Sequence, residues 1–467
     1  MLTTANHHPS SYRDPSGFIF EKDETMFRQV NISFKEHFDH FIKSGCYKNL
    51  CDKGLLIPHE QINQNLTGES NYYATLKPEK ISFISYPYEW GFDMLKDAAL
   101  LTLRLVKEAL EYGMILKDAT PFNIQWHEGR LVFIDTLSFE KYEEVTWVAY
   151  RQFCETFLGP LLIMHYSKTP MPQLQLAWPD GIPLAVIKSL LPLRTNLSFH
   201  TYLHIHLHAE ISAKKQGSSN KQQNFSKQKL LNLISSLETL VGGLKLTDHK
   251  STWSGYYDEA SKRDGYLNEK KKIIKGWVGI FQTLIKTGAD IGANEGEFSK
   301  LLSEKNIPTI SADFDPYCIN RLYASIKKSG EKNILPLILD ISNPSPAIGV
   351  NNEERNSFIS RTNVDMVLAL ALIHHLVIGK NIPFNSVAKF FYQVTHYLII
   401  EFVPIQDEKV VLMLSQKNIS YSNYDEDNFE SSFNQYFSIE KKENISGSSR
   451  TLYLMKKRQI IDNISLQ

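Results

Sequence analysis

The stretch from Asp290 to Asp315, DIGANEGEFSKLLSEKNIPTISADFD, concentrates the residue types and spacings that hold a nucleoside. Gly292 and Gly296 stand where a strand turns into a helix, and glycines there let a ligand approach the backbone. Phe298, Leu301 and Leu302 supply the apolar stripe of that helix, and Ile307 to Ala312 forms a second apolar run ending at Asp313 and Asp315. Asp313 lies 21 residues beyond Gly292, the spacing at which an acid reaches ribose hydroxyls in a βαβ unit. An ordinary strand–helix connection would share much of this pattern.

Asn294 and Glu297 fall where a dinucleotide fingerprint needs its second and third glycines. A pyrophosphate would also meet Glu295 and Glu297 in the first helical turn. A ligand carrying a sulfonium and an ammonium suits such acids better. The stretch resembles motif I of class I S-adenosylmethionine-dependent methyltransferases. That resemblance implies S-adenosyl-L-methionine as cofactor, bound by Asp290, Gly292, Asn294, Gly296 and Asp313, with Asp315 as the alternative ribose contact. By the same likeness Asp340 meets the adenine amino group and Ile341 lies beside the ring, unless Asp340 only caps a turn. Methyl transfer to a hydroxyl or amine needs a proton acceptor. His374 and His375 close the apolar run DMVLALAL, and Glu401 stands in the next strand. These three are the candidate catalytic residues, although a His-His pair at this place also serves as a structural turn.

The elements that must position these groups follow in order. Residues 230–246 predict a leading helix and 258–275 a charged one, with the aromatic cluster Thr252 to Tyr257 between them, suited either to covering the cofactor's methionine end or to packing. Apolar runs at 334–339, 365–372 and 397–403 predict further strands, and 437–442 with 450–455 a closing antiparallel hairpin. Five βα-type strands and a hairpin match the Rossmann-like seven-stranded methyltransferase sheet, whose last strand is antiparallel. The expected fold class is α/β over about 250–457, preceded by an α+β domain.

In the first half, Asp118 and Asn123 precede a hairpin that ends at Asp135. The layout resembles the catalytic and metal-holding segment of aminoglycoside and choline kinases. There the first acid faces the acceptor hydroxyl and the other two hold magnesium. No glycine-rich phosphate loop precedes it, Lys117 stands beside the acid, and Lys77 is the one lysine placed to hold a nucleotide. The alternatives are acids that cap turns, or a degenerate kinase-like lobe. His200, His204 and His208 would share one face of a helix at metal-ligand spacing, or pack within an amphipathic segment that also holds His206; no metal is assigned. The segments LKDATPFN, FIDTLSF, LALALIHHL and IEFVP make the whole chain similar to a two-part bacterial family labelled nodulation-related methyltransferases.

At 467 residues two domains are expected. The lysine-, serine- and glutamine-rich stretch 212–229 reads as a flexible linker between an N-terminal domain (1–211) and a methyltransferase domain (230–467). Residues 1–25 are polar and turn-rich and read as loosely ordered. Met94 to Tyr112 reads as a helix stopped by Gly113, and 71–88 as strands. Trp147 to Tyr166 reads as a buried helix interrupted at Gly159-Pro160. With 51 basic and 51 acidic residues the chain has no net pull toward nucleic acid or anionic lipid. Four scattered cysteines read as reduced thiols of a cytoplasmic protein. No signal peptide and no membrane span is expected. A small-molecule, glycan or carrier-bound methyl acceptor, recognised with help from the first half, is the expected substrate. A non-catalytic scaffold and a bifunctional enzyme with an active phosphotransferase are the alternatives.

Overall fold

The computed structural model describes residues 6–214, 225–247, 265–417 and 421–459. The chain forms two compact units, Met1–Asp248 with Ala347–Asn356, and His249–Pro346 with Ser357–Gln467.

The first unit opens with an antiparallel sheet in the order β1-β2-β3-β5-β4, made of β1 (Asn6–His7), β2 (Gly17–Lys22), β3 (Thr25–Asn31), β4 (His59–Ile62) and β5 (Tyr72–Pro78). The described part of residues 1–25, from Asn6 on, therefore forms strands and turns, contrary to the expectation of a loose segment. Phe18 and Phe20 are buried, and Asp23 and Glu24, both at positive φ, close a tight two-residue hairpin loop. Gly17 is needed where β2 passes β3, since a Cβ there would lie 2.0 Å from the carbonyl oxygen of Gln29. Val30, Ala74 and Leu76 pack against Phe34, Phe38 and Leu137. The strand expected to continue through 81–88 is not formed, because Pro87 begins a short 3-10 turn. The helix Phe92–Leu110 forms as expected, and Gly113 beyond it has φ 67°. The buried helix after Trp147 is not broken at Gly159-Pro160. A π turn over Cys154–Leu158 leads into Gly159–Ser167, where Pro160 sits in the first turn and needs no N–H partner. Two small hairpins, β6 (Met114–Leu116) with β9 (Phe139–Lys141) and β7 (Ile124–His127) with β8 (Arg130–Phe133), carry the loop of Asp118 and Asp135.

The domain boundary differs from expectation. The helix Lys227–Gly243, read as the start of the second domain, packs on Phe92–Leu110 in the first. It buries Leu230, Ile234, Leu237 and Val241, and Lys107 pairs with Glu238 at 3.0 Å. The polar stretch before it marked a change of composition, not the end of the core. Part of that stretch, 215–224, lies outside the described residues, as does the Thr252–Tyr257 cluster.

The second unit is built on a seven-stranded sheet in the order β12-β11-β10-β13-β14-β16-β15. Its strands are β10 (Gly288–Ile291), β11 (Thr309–Asp313), β12 (Ile334–Ile338), β13 (Val364–Ala369), β14 (Thr395–Phe402), β15 (Phe437–Asn444) and β16 (Thr451–Lys457). The first five are parallel and β16 runs antiparallel to β14. The order reverses between β10 and β13, which opens a crevice at the carboxyl ends of the strands. Met366, Leu368, Ile399 and Leu454 of the sheet pack against Ile273, Ile274 and Trp277 of the helix Tyr266–Ile280.

Candidate functional site

A cavity of about 270 Å³ lies in that crevice, within the second unit. Asp290, Gly292, Asn294, Asp313, Asp340 and Ile341 line it, so six of the eight expected cofactor residues converge. Gly292 (φ 83°) and Gly296 (φ 78°) take the left-handed conformations that turn the chain from β10 toward the helix Ser299–Ser303. Asp313 fastens this turn to the end of β11. One of its oxygens accepts the Asn294 N–H at 2.8 Å and the other the Asp315 N–H at 2.8 Å. Burial pushes its carboxyl up to about 6 in spite of these bonds. Asp290, 2% exposed, accepts from the Ser299 hydroxyl at 2.7 Å. Burial, with the charge of Asp313 adding to it, pushes Asp290 up to about 7. Asp340 receives the Ser342 N–H at 2.9 Å and its hydroxyl at 2.6 Å, so it also makes the turn cap that was the alternative reading.

Asp315 and Gly296 do not line the cavity. Asp315 is the N-cap of the helix Pro316–Ser329, accepting from the N–H groups of Tyr317 (2.9 Å) and Cys318 (3.3 Å). Glu295 pairs with Arg321 at 2.8 Å, and Glu297 pairs with Lys271 and Lys300.

The three expected catalytic residues separate. His375 lines the cavity, and burial lowers its pKa to about 4. His374 is 2% exposed, its Nδ1 has no hydrogen-bond partner, and burial holds it well below the ordinary range. Glu401 is fully buried and lies off the cavity lining. Its Oε1 accepts from Tyr266 at 2.6 Å, and its Oε2 accepts from Lys270 at 2.5 Å and from the Ala371 N–H at 2.7 Å. Arg450 comes within 3.5 Å of Glu401 and chelates Asp407 at 2.8 and 3.1 Å. Burial opposes ionisation of Glu401, but Lys270 and Arg450 outweigh it and hold the carboxyl down at about 2. A group so committed holds its partners in place and does not take a proton from an acceptor. The sequence reading missed Lys270. The signal was present, because Tyr266, Lys270, Ile273, Ile274 and Trp277 share one helical stripe and a lysine there has to be paired.

In the first unit Asp118, Asn123 and Asp135 do come together. The Asn123 amide donates to Asp118 at 3.1 Å and reaches the Ser138 hydroxyl at 3.4 Å, and Ser138 bonds Asp135. Arg28 of β3 forms an ion pair with Asp135, whereas Lys77 points from β5 into solvent. Burial raises Asp118, whose Oδ1 has no partner, and the charge of Asp135 adds to the rise. Lys117 turns to Ser16 (2.7 Å) and Asp14 (3.3 Å).

The four histidines of 200–208 form no ligand cluster. A π turn over Tyr202–Leu207 shifts their spacing. His200 and His204 both bond the Ser236 hydroxyl at 2.8 Å, His206 bonds Thr195 at 2.9 Å, and His208 stacks on Tyr150.

The fold of the second unit is that of the class I methyltransferases. No family model matches the chain. Over 461 residues, 96% of this chain and 96% of the relative, it is 32% identical to the nodulation protein NoeA of Rhizobium meliloti (strain 1021), and it belongs to the family of that protein. Among solved structures, the bifunctional kinase-methyltransferase WbdD is 17% identical over 49% of this chain and 48% of its own, with a TM-score of 0.32. This chain thus matches about half the length of that protein. Magnesium protoporphyrin IX methyltransferase (ChlM) from Synechocystis PCC 6803, solved with bound SAH, is 11% identical over 45% of this chain and 90% of its own, with a TM-score of 0.31. Among the described residues no helix is long and apolar enough to cross a membrane.

Proposed function

We propose that the chain is an S-adenosylmethionine-dependent methyltransferase acting on a small-molecule, glycan or carrier-bound acceptor, with the first unit helping to recognise that acceptor. One observation carries the reading: three strand-end carboxylates, Asp290, Asp313 and Asp340, line a single cavity beside a turn that lacks two of the dinucleotide glycines. The donor set fits an adenosine bearing an amino acid. Both oxygens of Asp313 accept backbone N–H groups, and a carboxylate has about four acceptor sites in all, so it can take a ribose hydroxyl as well. Bound cofactor supplies the methyl group, and the residues of the chain orient it, exclude water and handle the proton. His375, kept neutral at pH 7 by its burial, has a ring nitrogen able to accept the acceptor's proton. Calorimetry with S-adenosylhomocysteine and with NAD tests the reading. Binding of the first alone is expected, and tight NAD binding with no response to S-adenosylhomocysteine overturns it.

A second reading has its own observation. Asp118, Asn123 and Asp135 are joined in one hydrogen-bonded chain through Ser138, and Asp118 keeps one oxygen without a partner, which supports a metal–nucleotide role for the group. Against it, Arg28 already neutralises Asp135, and no glycine-rich loop supplies phosphate donors. Magnesium-dependent ATP turnover by the full chain, lost in Asp135→Asn, would make the protein bifunctional.

A further inference from the structure

We propose that the 3-10 turn Leu193–Leu197, with Phe199 just beyond it, seats the protein on the surface of an anionic lipid bilayer. Leu193, Leu197 and Phe199 are 88%, 90% and 72% exposed, and Leu190 and Tyr202 on either side are exposed as well. The turn is inside out. Its one buried residue is Thr195, whose hydroxyl donates to the Pro192 carbonyl at 2.7 Å and meets Nε2 of His206 at 2.9 Å. A turn that buries its hydroxyl and presents its leucines gains nothing from those leucines in folding. Several of its polar atoms are also satisfied from within. The Asn196 amide donates to the Leu193 carbonyl at 2.9 Å, and the Ser198 N–H donates to the Thr195 carbonyl at 3.2 Å. Each such bond lowers the cost of carrying the turn out of water.

Charge selects the surface. From Gly181 to Ala209 there is no acid, while Lys188, Arg194 and four histidines fall in that stretch. Lys188 is matched by Glu210 at 2.8 Å, and Asp180, the acid just before the stretch, is matched by Arg13 at 3.0 Å. Arg194 is exposed and lies over the Tyr166 ring at 5.5 Å. Arginine and tyrosine beside projecting leucines are the side chains that settle at the headgroup level of a bilayer. The chain as a whole is neutral, so the attraction to anionic headgroups belongs to this segment. A second copy of the chain would need hollows shaped to these leucines and would have to order them. A leucine 90% exposed touches little of its own protein, and a fluid acyl boundary takes it in any rotamer.

Flotation of the full chain with vesicles tests the seat, using phosphatidylcholine mixed with phosphatidylglycerol in one set and phosphatidylcholine alone in the other. The wild type should float with the mixed vesicles and far less with the neutral ones. Leu193→Ser/Leu197→Ser should lose about ten- to a hundredfold of that partition. Its melting temperature should stay unchanged, because both side chains are already in water. Arg194→Glu should lose about ten- to thirtyfold on the mixed vesicles and little on the neutral ones. A wild type that floats with neither set overturns the proposal. So does a double-leucine variant that floats like the wild type, since the attraction then lies elsewhere in the chain. A dimer that this variant splits in sedimentation, without flotation of the wild type, overturns it too and assigns the leucines to a second copy.

Discussion

At the scale of single residues, the buried carboxylates Glu401, off the cavity lining, and Asp290, on it, differ in what ionisation does for the protein. Glu401 is held at about 2, below the ordinary 4.3, so the stability it contributes is present above pH 4.3 and lost as pH falls toward 2. Asp290 has the opposite sign. At about 7 its folded value lies above the ordinary 3.9, so the fold prefers it protonated, and stability is lost as pH rises from about 4 through 7. Asp290→Asn should therefore melt above wild type at pH 8, by up to about 4 kcal/mol, and level with it near pH 4. A thermal denaturation series across that range decides the point. Asp313→Ala should weaken S-adenosylhomocysteine binding by about 1.5–3 kcal/mol through lost charge-assisted hydrogen bonds. The two histidines should part company in kinetics. His375→Gln is expected to lower turnover by about a hundredfold at unchanged cofactor affinity. His374→Gln should lower the melting temperature, because it replaces a neutral ring packed on His375 by a flexible amide whose two N–H donors must be satisfied in a buried site.

At the scale of elements, Gly296 and Gly276 make a matched pair. A Cβ on Gly296, at φ 78°, would lie 2.7 Å from a Leu322 methyl, while one on Gly276, inside a helix, meets open space. Gly296→Ala should destabilise by about 1–3 kcal/mol, and Gly276→Ala should stabilise by about 0.5–1 kcal/mol; chemical denaturation of both variants reads the contrast. The same elements show what the sequence made legible. The strands of the second unit were readable because those buried on both faces are continuous apolar runs ending in an acid, as at Asp313 and Asp340. The first unit was harder to read. Its β2–β3 hairpin is short, half polar and turned by Asp23 and Glu24, and its helix Lys227–Gly243 follows a stretch with linker composition. The acids of the site were legible by spacing from a glycine turn. Lys270 and the duty of Glu401 were not, because a buried ion pair joins residues 131 positions apart and leaves no local periodicity.

At the scale of the whole molecule, the helix Lys227–Gly243 decides where the protein can be cut. A fragment ending at 211 lacks the helix that lies on Phe92–Leu110 and exposes the surface that Leu230, Ile234, Leu237 and Val241 cover. Residues 1–248 should therefore melt higher than residues 1–211 and stay monodisperse in size-exclusion chromatography, where the shorter piece aggregates. With the full chain, magnesium-dependent ATP turnover is expected to be absent and Asp135→Asn to change nothing, since Arg28 already occupies the acid that would hold the metal. The chain also changes unit three times, at 248/249, 346/347 and 356/357. The excursion Ala347–Asn356 joins the first unit through Glu354, which pairs with Arg13 at 2.8 Å, and Arg355, which lies over Phe122 at 4.7 Å. A gene crossover between the halves would deliver a second half whose ten-residue excursion finds a foreign partner. Shuffled hybrids should therefore melt below the parent chain, and matching residues 347–356 to the first half should recover part of the loss.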